Sequence, residues 1–151
     1  MNALEEPAMP ISVVPADTEP LRRLALALRD EVFVAEQGVP IELEHDAEDA
    51  TAFHVVALDA GRCVGTGRLV RQEGGVGRVG RMAVARDRRR DGVGGLVLQA
   101  LEARARTEGL AEIELHAQRY VEAFYRRHGY VPEGAPFQEA GIEHVVMRKR
   151  L

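Results

Sequence analysis

The residues that most clearly point to chemistry lie between Arg88 and Gly95, where the sequence reads RRRDGVGG. A helical pattern of apolar residues follows directly, so this segment is expected at a helix N-terminus. There, backbone N–H groups lack partners and the helix dipole is positive. Glycine lets a ligand approach the backbone, and arginine supplies donors that match phosphate oxygens. The spacing therefore predicts a phosphate-binding loop.

Two common phosphate loops do not fit this segment. A P-loop needs Lys and Ser or Thr after its last glycine, whereas Gly95 and Leu96 follow Gly94. A dinucleotide-binding loop follows the first strand of a βαβ unit, whereas three or four strands are expected before this one. A glycine-rich loop with exposed arginines and no ligand remains the alternative at this point.

The elements that must position the loop can be inferred from hydrophobic periodicity. Thr18 is an expected N-cap for a first helix, and residues 59–62 form the turn of an expected hairpin. A second helix is expected from about Gly92 to Glu108, ended by Gly109. The other expected elements are a strand at ISVV, a strand at VGRVGRMAVA, a strand at AEIELHA, a short helix at RYVEAFYRRH, and strands at YVPEG and IEHVVMRKR. This order predicts an α/β (α+β) fold with a mixed sheet.

Length and composition favour one globular domain. The chain has 151 residues, of which 46% are hydrophobic and 29% charged. We expect a flexible tail at 1–10, a single domain at 11–151, and an irregular acidic region between the first helix and the hairpin. No segment reaches the about 18 apolar residues of a membrane span, so no membrane partner is expected.

Charge and cysteine content exclude further classes. The net charge of -4 makes nucleic acid a poor candidate partner. Cys63 is the single cysteine, which cannot form an internal disulfide and is expected to serve packing; a reducing, cytoplasmic setting fits. His45, Asp46 and His54 match no standard metal spacing, so no metal is expected.

The segment RMAVARDRRRDGVGGLVLQALEARA resembles motif A of the GNAT superfamily of acyl-CoA-dependent N-acetyltransferases. Its signature, Gln/Arg-x-x-Gly-x-Gly/Ala, is met by Arg89, Gly92 and Gly94. The segments EVFVAEQGVP, LHAQ, FYRRHGY and GIEHVVMRK resemble the ElaA-like branch, so the similarity covers nearly the whole chain. It implies a mostly antiparallel sheet of six to seven strands with about four helices, splayed at the acyl-CoA site.

The resemblance also implies how acetyl-CoA, the expected co-substrate, is held. The pyrophosphate would lie on backbone amides of about Arg90–Gly95, beside Arg89, and the pantetheine arm would lie along Met82–Val84. Asp91 departs from the family pattern, and its charge either points away from the phosphates or weakens binding. The residues implied for coenzyme contact are Met82, Ala83, Val84, Arg89, Arg90, Asp91, Gly92, Val93, Gly94, Gly95, Gln118 and Phe124.

Catalysis of acyl transfer to an amine needs a proton donor for the thiolate and a proton acceptor for the amine. Tyr125 matches the family position of the donor; the alternative is a core aromatic residue. Glu36 is the first candidate base, because apolar neighbours are expected to raise its pKa, and His116 is the second. Either could instead have only a structural role. Arg126 and Arg127 are expected to be solvated charges.

The amine acceptor is the least defined partner. Between Asp30 and Asp49 there are eight acids and no Lys or Arg: Asp30, Glu31, Glu36, Glu42, Glu44, Asp46, Glu48 and Asp49. In the family this region forms one wall of the acceptor site, so it could steer a cationic small-molecule or peptide amine; a solvated loop is the alternative. A non-catalytic acyl-CoA sensor and an acyl-homoserine-lactone-type synthase are competing functions, the latter disfavoured by the acidic balance. The family also allows a homodimer.

Overall fold

Seven strands and four α-helices make up the fold in this computed structural model, which describes residues 10–151. The strands are β1 (Ser12–Pro15), β2 (Phe53–Asp59), β3 (Arg62–Arg71), β4 (Val76–Val84), β5 (Glu112–Gln118), β6 (Val131–Glu139) and β7 (Ile142–Arg150). The helices are α1 (Glu19–Arg29), α2 (Ile41–Glu44), α3 (Val93–Thr107) and α4 (Glu122–Arg127). The expected N-terminal tail lies outside the described residues, except for Pro10.

The strands form one sheet in the order β1-β2-β3-β4-β5-β7-β6. All neighbours are antiparallel except β4 and β5, which are parallel because α3 connects them. The predicted α/β (α+β) class with a mostly antiparallel sheet is therefore confirmed.

Helix α3 covers the centre of the sheet. Its apolar side, which includes Val97, Leu98 and Leu101, is fully buried. Glycine in β3 lets the helix approach closely, because a Cβ added at Gly65 would lie only 2.6 Å from Cγ1 of Val93. This contact fixes the height of the α3 N-terminus above the sheet.

Strands β4 and β5 diverge after a short pairing. Their register joins Val76–Val79 to Glu112–Leu115 and ends there. Beyond that point β4 contains an irregularity opposite β3, and Arg81 takes a positive φ of 50°. Strand β5 instead continues along β7 as far as Gln118. The expected splay is thus present, and it opens a cleft in the middle of the sheet.

The region between α1 and β2 is more regular than expected. It contains a π-helical segment at Asp30–Glu36, the short helix α2, and a 3₁₀ turn at Ala47–Ala50. A capping box between Asp46 and Asp49 stabilises the 3₁₀ turn. The expectation of an irregular segment was wrong because such local side-chain hydrogen bonds and the ion pairs described below order the backbone.

Candidate active site

The cleft between the diverging strands has a volume of about 1080 Å³, which is large enough for an extended ligand of coenzyme size. It is lined by the segment between α1 and β2, β4, the loop before α3, the first turn of α3, the end of β5, α4 and the β6–β7 turn. The sequence-predicted residues that line it are Met82, Ala83, Val84, Arg89, Arg90, Gly92, Gly94, Gly95, His116, Gln118, Phe124 and Tyr125. Glu36, Asp91 and Val93 are not among the lining residues.

The glycines of the loop have two separate roles. Gly92 is the N-cap of α3 with a φ of 78°, a left-handed conformation that favours glycine. A Cβ added at Gly94 would lie 3.3 Å from Cζ of Phe124, and one at Gly95 would lie 3.2 Å from Cε1 of His128. The later glycines therefore also let α4 pack against the first turn of α3, a reason that the sequence pattern did not reveal.

Asp91, which the sequence left unexplained, forms an ion pair with Arg88. The Arg88 Nε donates to its Oδ2 at 2.7 Å, while Nη1 of the same arginine donates to Asp59 at 2.5 Å. Val93 is also accounted for, because its side chain is buried in the core. Arg88 thus pairs with both acids, and its contact with Asp59 ties the loop to the end of β2.

Glu36 and Arg89 form a bidentate ion pair, although they were predicted for different tasks. The two N–O distances are 2.5 and 2.8 Å, and the Arg89 Nε also donates to the carbonyl of Val84. The hydrogen bond from Arg89 lowers the pKa of Glu36 below its usual value. The expectation that apolar neighbours raise this pKa was therefore wrong, because the sequence does not show that a guanidinium reaches the carboxylate.

The outer part of β4 has one unpaired backbone edge. Strand β3 pairs with its other edge through Thr66↔Ala83 and Gly65↔Val84. Within residues 10–151, no strand pairs with the β5-facing edge beyond Val79. An extended ligand that carries amide groups could form the missing ladder of hydrogen bonds there.

Tyr125 lies at the wall of the cleft and is only 9% exposed. Its ring packs edge-to-face against Phe124 and Tyr130, at centroid distances of 5.0 and 5.8 Å. Burial raises the pKa of its phenol, so the hydroxyl stays protonated at neutral pH. Tyr125 is among the residues that line the cleft, and a protonated phenol can donate a proton or a hydrogen bond to a developing anion.

His116 contacts carboxylates through both ring nitrogens. Nδ1 lies 3.0 Å from Oε1 of Glu139, and Nε2 lies 3.5 Å from Oε1 of Glu114. The hydrogen bond to Glu139 raises the pKa of His116, although burial and Arg78 oppose this. Glu139 also lies 3.7 Å from Nε2 of His144, and these three residues line the cleft.

Sequence reasoning missed Glu139 completely. The contact joins β5 to the end of β6, 23 positions later, and no motif marks it. Another unexpected pair is Gln118, whose side-chain amide exchanges hydrogen bonds with that of Gln37 at 2.9 and 3.2 Å.

The acidic segment is largely paired internally. Arg29, only 1% exposed, bonds to Glu44 at 2.6 Å and to Asp49 at 2.7 Å, and Arg68 bonds to Asp46 at 2.7 Å. Six of the eight acids contact a basic side chain, namely Asp30, Glu36, Glu44, Asp46, Glu48 and Asp49. The segment is thus neither a freely solvated loop nor a bare acidic wall, because four arginines, Arg29, Arg68, Arg81 and Arg89, pair with five of its acids and offset half of its formal charge.

This combination defines a class of protein. The sheet opens between its two parallel strands and leaves a free strand edge, and a loop rich in arginine and glycine precedes the next helix. These are the features of an acyl-CoA-dependent N-acyltransferase. The family comparison agrees, since residues 15–151 match the acetyltransferase (GNAT) domain family. The chain belongs to that family, as the sequence resemblance predicted.

Known relatives are consistent with this assignment. The chain is 39% identical over 140 residues to Bacillus subtilis YjcF, described as an uncharacterized N-acetyltransferase, covering 92% of this chain and 99% of YjcF. An acyl-CoA N-acyltransferase from Pseudomonas aeruginosa has 29% identity and a TM-score of 0.79, covering 93% of this chain and 99% of the other. Escherichia coli ElaA shares the fold, with 21% identity, a TM-score of 0.83, and coverage of 93% and 99%.

None of the helices in residues 10–151 combines sufficient length with sufficient apolar character to cross a bilayer.

Proposed function

We propose that this enzyme transfers the acetyl group of acetyl-CoA to a primary amine of a small molecule or peptide, by direct attack in a ternary complex. The observation that carries the proposal is the free backbone edge of β4, which leads from the splay at Val79 to the loop at Arg89 within one cleft. An extended thioester with a phosphorylated end fits such a strand edge followed by an anion-binding helix terminus.

The donor half of the site is built from backbone groups and arginine. Loop amides at the start of α3 and the Arg89 guanidinium are suited to the pyrophosphate. The edge of Met82–Val84 is suited to the amide groups of the pantetheine arm. A backbone N–H of this strand would also polarise the thioester carbonyl, a contact whose loss typically lowers the rate about 10²–10³-fold.

The acceptor nitrogen attacks the thioester carbonyl carbon, so that an N–C bond forms and the C–S bond breaks. The departing thiolate receives a proton from the Tyr125 hydroxyl, and the amine loses one proton to a base. Two observations support Tyr125 as the proton donor: it lines the cleft, and its raised pKa keeps it protonated. The proton that reaches the base later passes to solvent, and Tyr125 is reprotonated.

His116 is the base we propose, with Glu139 as the residue that orients it. Glu36 was the first candidate from sequence, but its carboxylate is held by Arg89 and its pKa is lowered, which makes it a weaker base. His116 lines the cleft, and its contact with Glu139 makes it a stronger base than an unperturbed histidine. Glu36 instead pairs with Arg89, the arginine that we propose to bind the coenzyme A pyrophosphate.

An acetylation assay tests the proposal. The protein is incubated with acetyl-CoA and a panel of amino acids, polyamines, amino sugars and lysine peptides, and the products are analysed by mass spectrometry. We expect a mass increase of one acetyl group on at least one acceptor, with release of an equal amount of free thiol. If no acceptor is modified while coenzyme A still raises the melting temperature, the protein is a non-catalytic acyl-CoA-binding module.

A further inference from the structure

The arginines around the donor end of the cleft divide into two sets. One set is paired with acids. Arg88 pairs with Asp59 and Asp91, Arg89 pairs with Glu36, and Arg126 pairs with Glu122. Arg90 and Arg127 have no carboxylate within 4 Å in residues 10–151, and both are exposed. Both also line the cleft, whereas Arg126 does not. Two arginines that line the cleft therefore carry a charge that no neighbouring acid within residues 10–151 offsets.

The packing of α4 places these two arginines at the same helix terminus. Phe124 and His128 lie against Gly94 and Gly95, in the first turn of α3. Arg127 directly precedes His128, and Arg90 lies two residues before the N-cap of α3. Arg90 and Arg127 thus come from different elements, but both line the cleft together with the first turn of α3, whose N-terminal dipole also favours anions.

We propose that Arg127, together with Arg90, forms a second anion subsite, which binds the 3′-phosphate of coenzyme A. This inference rests on the proposed coenzyme site. The loop amides and Arg89 are suited to the pyrophosphate, which leaves one further phosphate group on the same ligand. A phosphate monoester carries between about -1.5 and -2 charges at pH 7, and unpaired guanidinium groups are the side chains best suited to it.

The subsite would define the donor as a free coenzyme A thioester. A carrier-protein-bound phosphopantetheine has the same reactive arm but lacks the 3′-phosphate, so it would gain nothing from Arg127. Sequence alone gave no reason to separate Arg127 from Arg126, since both follow Tyr125 on one short helix. Their partners differ because Arg126 faces Glu122 one turn earlier, at 3.4 Å.

Calorimetric titration with coenzyme A and with 3′-dephospho-coenzyme A tests this inference without relying on activity. We expect the wild type to bind coenzyme A at least about tenfold more tightly than the dephospho form. Arg127→Gln should reduce that ratio to about twofold or less, by weakening coenzyme A and leaving the dephospho form unchanged. Arg126→Gln is the matched control and should retain the full ratio.

The outcomes separate this inference from the function on which it rests. The 3′-phosphate contact would be overturned if the wild type bound both ligands equally well. It would also be overturned if Arg127→Gln lost the same amount of affinity for both ligands. Neither result would contradict the coenzyme site itself. Failure of both ligands to bind the wild type would overturn the coenzyme site itself, and this inference with it. Thermal unfolding of each variant confirms that the comparison is made between folded proteins.

Discussion

The Arg89 guanidinium and the Glu36 carboxylate face each other as a bidentate pair, with N–O distances of 2.5 and 2.8 Å across 53 positions of sequence. The pair ties the end of the π-helical segment to the loop before α3. It places an acid on the arginine that we propose to bind the coenzyme pyrophosphate. A pyrophosphate and Glu36 would then compete for the same donors.

Replacing Glu36 should therefore strengthen coenzyme binding. In Glu36→Gln the neutral amide holds Arg89 less strongly, and an exposed ion pair of this kind is worth up to about 1 kcal/mol. We expect coenzyme A to bind up to about fivefold more tightly by calorimetric titration. Glu31→Gln, on the same segment, is the control and should not change the affinity. Weaker binding in Glu36→Gln would show that the carboxylate orients Arg89 and does not compete.

Removal of the Tyr125 hydroxyl should affect turnover and not coenzyme affinity. Phenylalanine preserves the ring contacts with Phe124 and Tyr130 but cannot donate a proton. We expect Tyr125→Phe to lower kcat about tenfold or more, measured by thiol release under saturating substrates. The dissociation constant of coenzyme A should stay the same. A variant with the kcat of the wild type would exclude Tyr125 from proton transfer.

The pH dependence of kcat/KM should change when Glu139 is replaced. A base must be neutral to act, so kcat/KM should rise with pH as His116 loses its proton, around a pKa above its ordinary value. Glu139 and Glu114 raise this pKa, whereas burial and Arg78 lower it. In Glu139→Gln the main raising contact is lost, so the midpoint of the rise should move to lower pH. The readout is the full pH profile of kcat/KM for both proteins.

An unchanged midpoint in that experiment would contradict the role of His116. His116→Gln supplies the second comparison, since it should remove this titration from the profile altogether. Coenzyme A titration of both variants shows whether the donor site is intact.

The buried charge cluster should be essential for stability. Arg29 and Glu44 are 1% and 2% exposed, so Arg29→Met would leave a buried carboxylate without its main partner. We expect the free energy of unfolding to fall by about 3–5 kcal/mol, measured by urea denaturation. Arg23→Met is the control, because Arg23 pairs with Glu19 on the exposed side of the same helix and should change stability by less than about 1 kcal/mol.

The double variant Arg29→Met, Glu44→Leu tests the cause. Replacing both buried charges with apolar groups removes the unpaired carboxylate, so most of the lost stability should return. If the double variant is as unstable as the single one, the loss comes from packing or from the Asp49 contact, and not from the buried charge of Glu44.

Local spacing along the chain was enough to predict most of the helices and strands. Apolar periodicity predicted the helix after Arg89, and the alternation of residues predicted most strands. The resemblance of the segment around Arg89, Gly92 and Gly94 to motif A predicted the family, which the comparison with known proteins confirms. Such patterns can be inferred from sequence because helix and strand geometry repeats over a few residues.

The partner of each charged group, in contrast, could be identified only in the folded chain. Glu36 reaches Arg89, Glu139 reaches His116, and the acids after α1 reach Arg29 and Arg68, over separations of 53, 23 and 15 to 22 positions. These contacts lowered the pKa of the first candidate base, paired six of the eight acids of the expected acidic wall, and left Arg90 and Arg127 without acidic partners in the described chain. The charge and pKa of a side chain depend on neighbours within a few ångströms. The fold, and not the order of residues, brings those neighbours together.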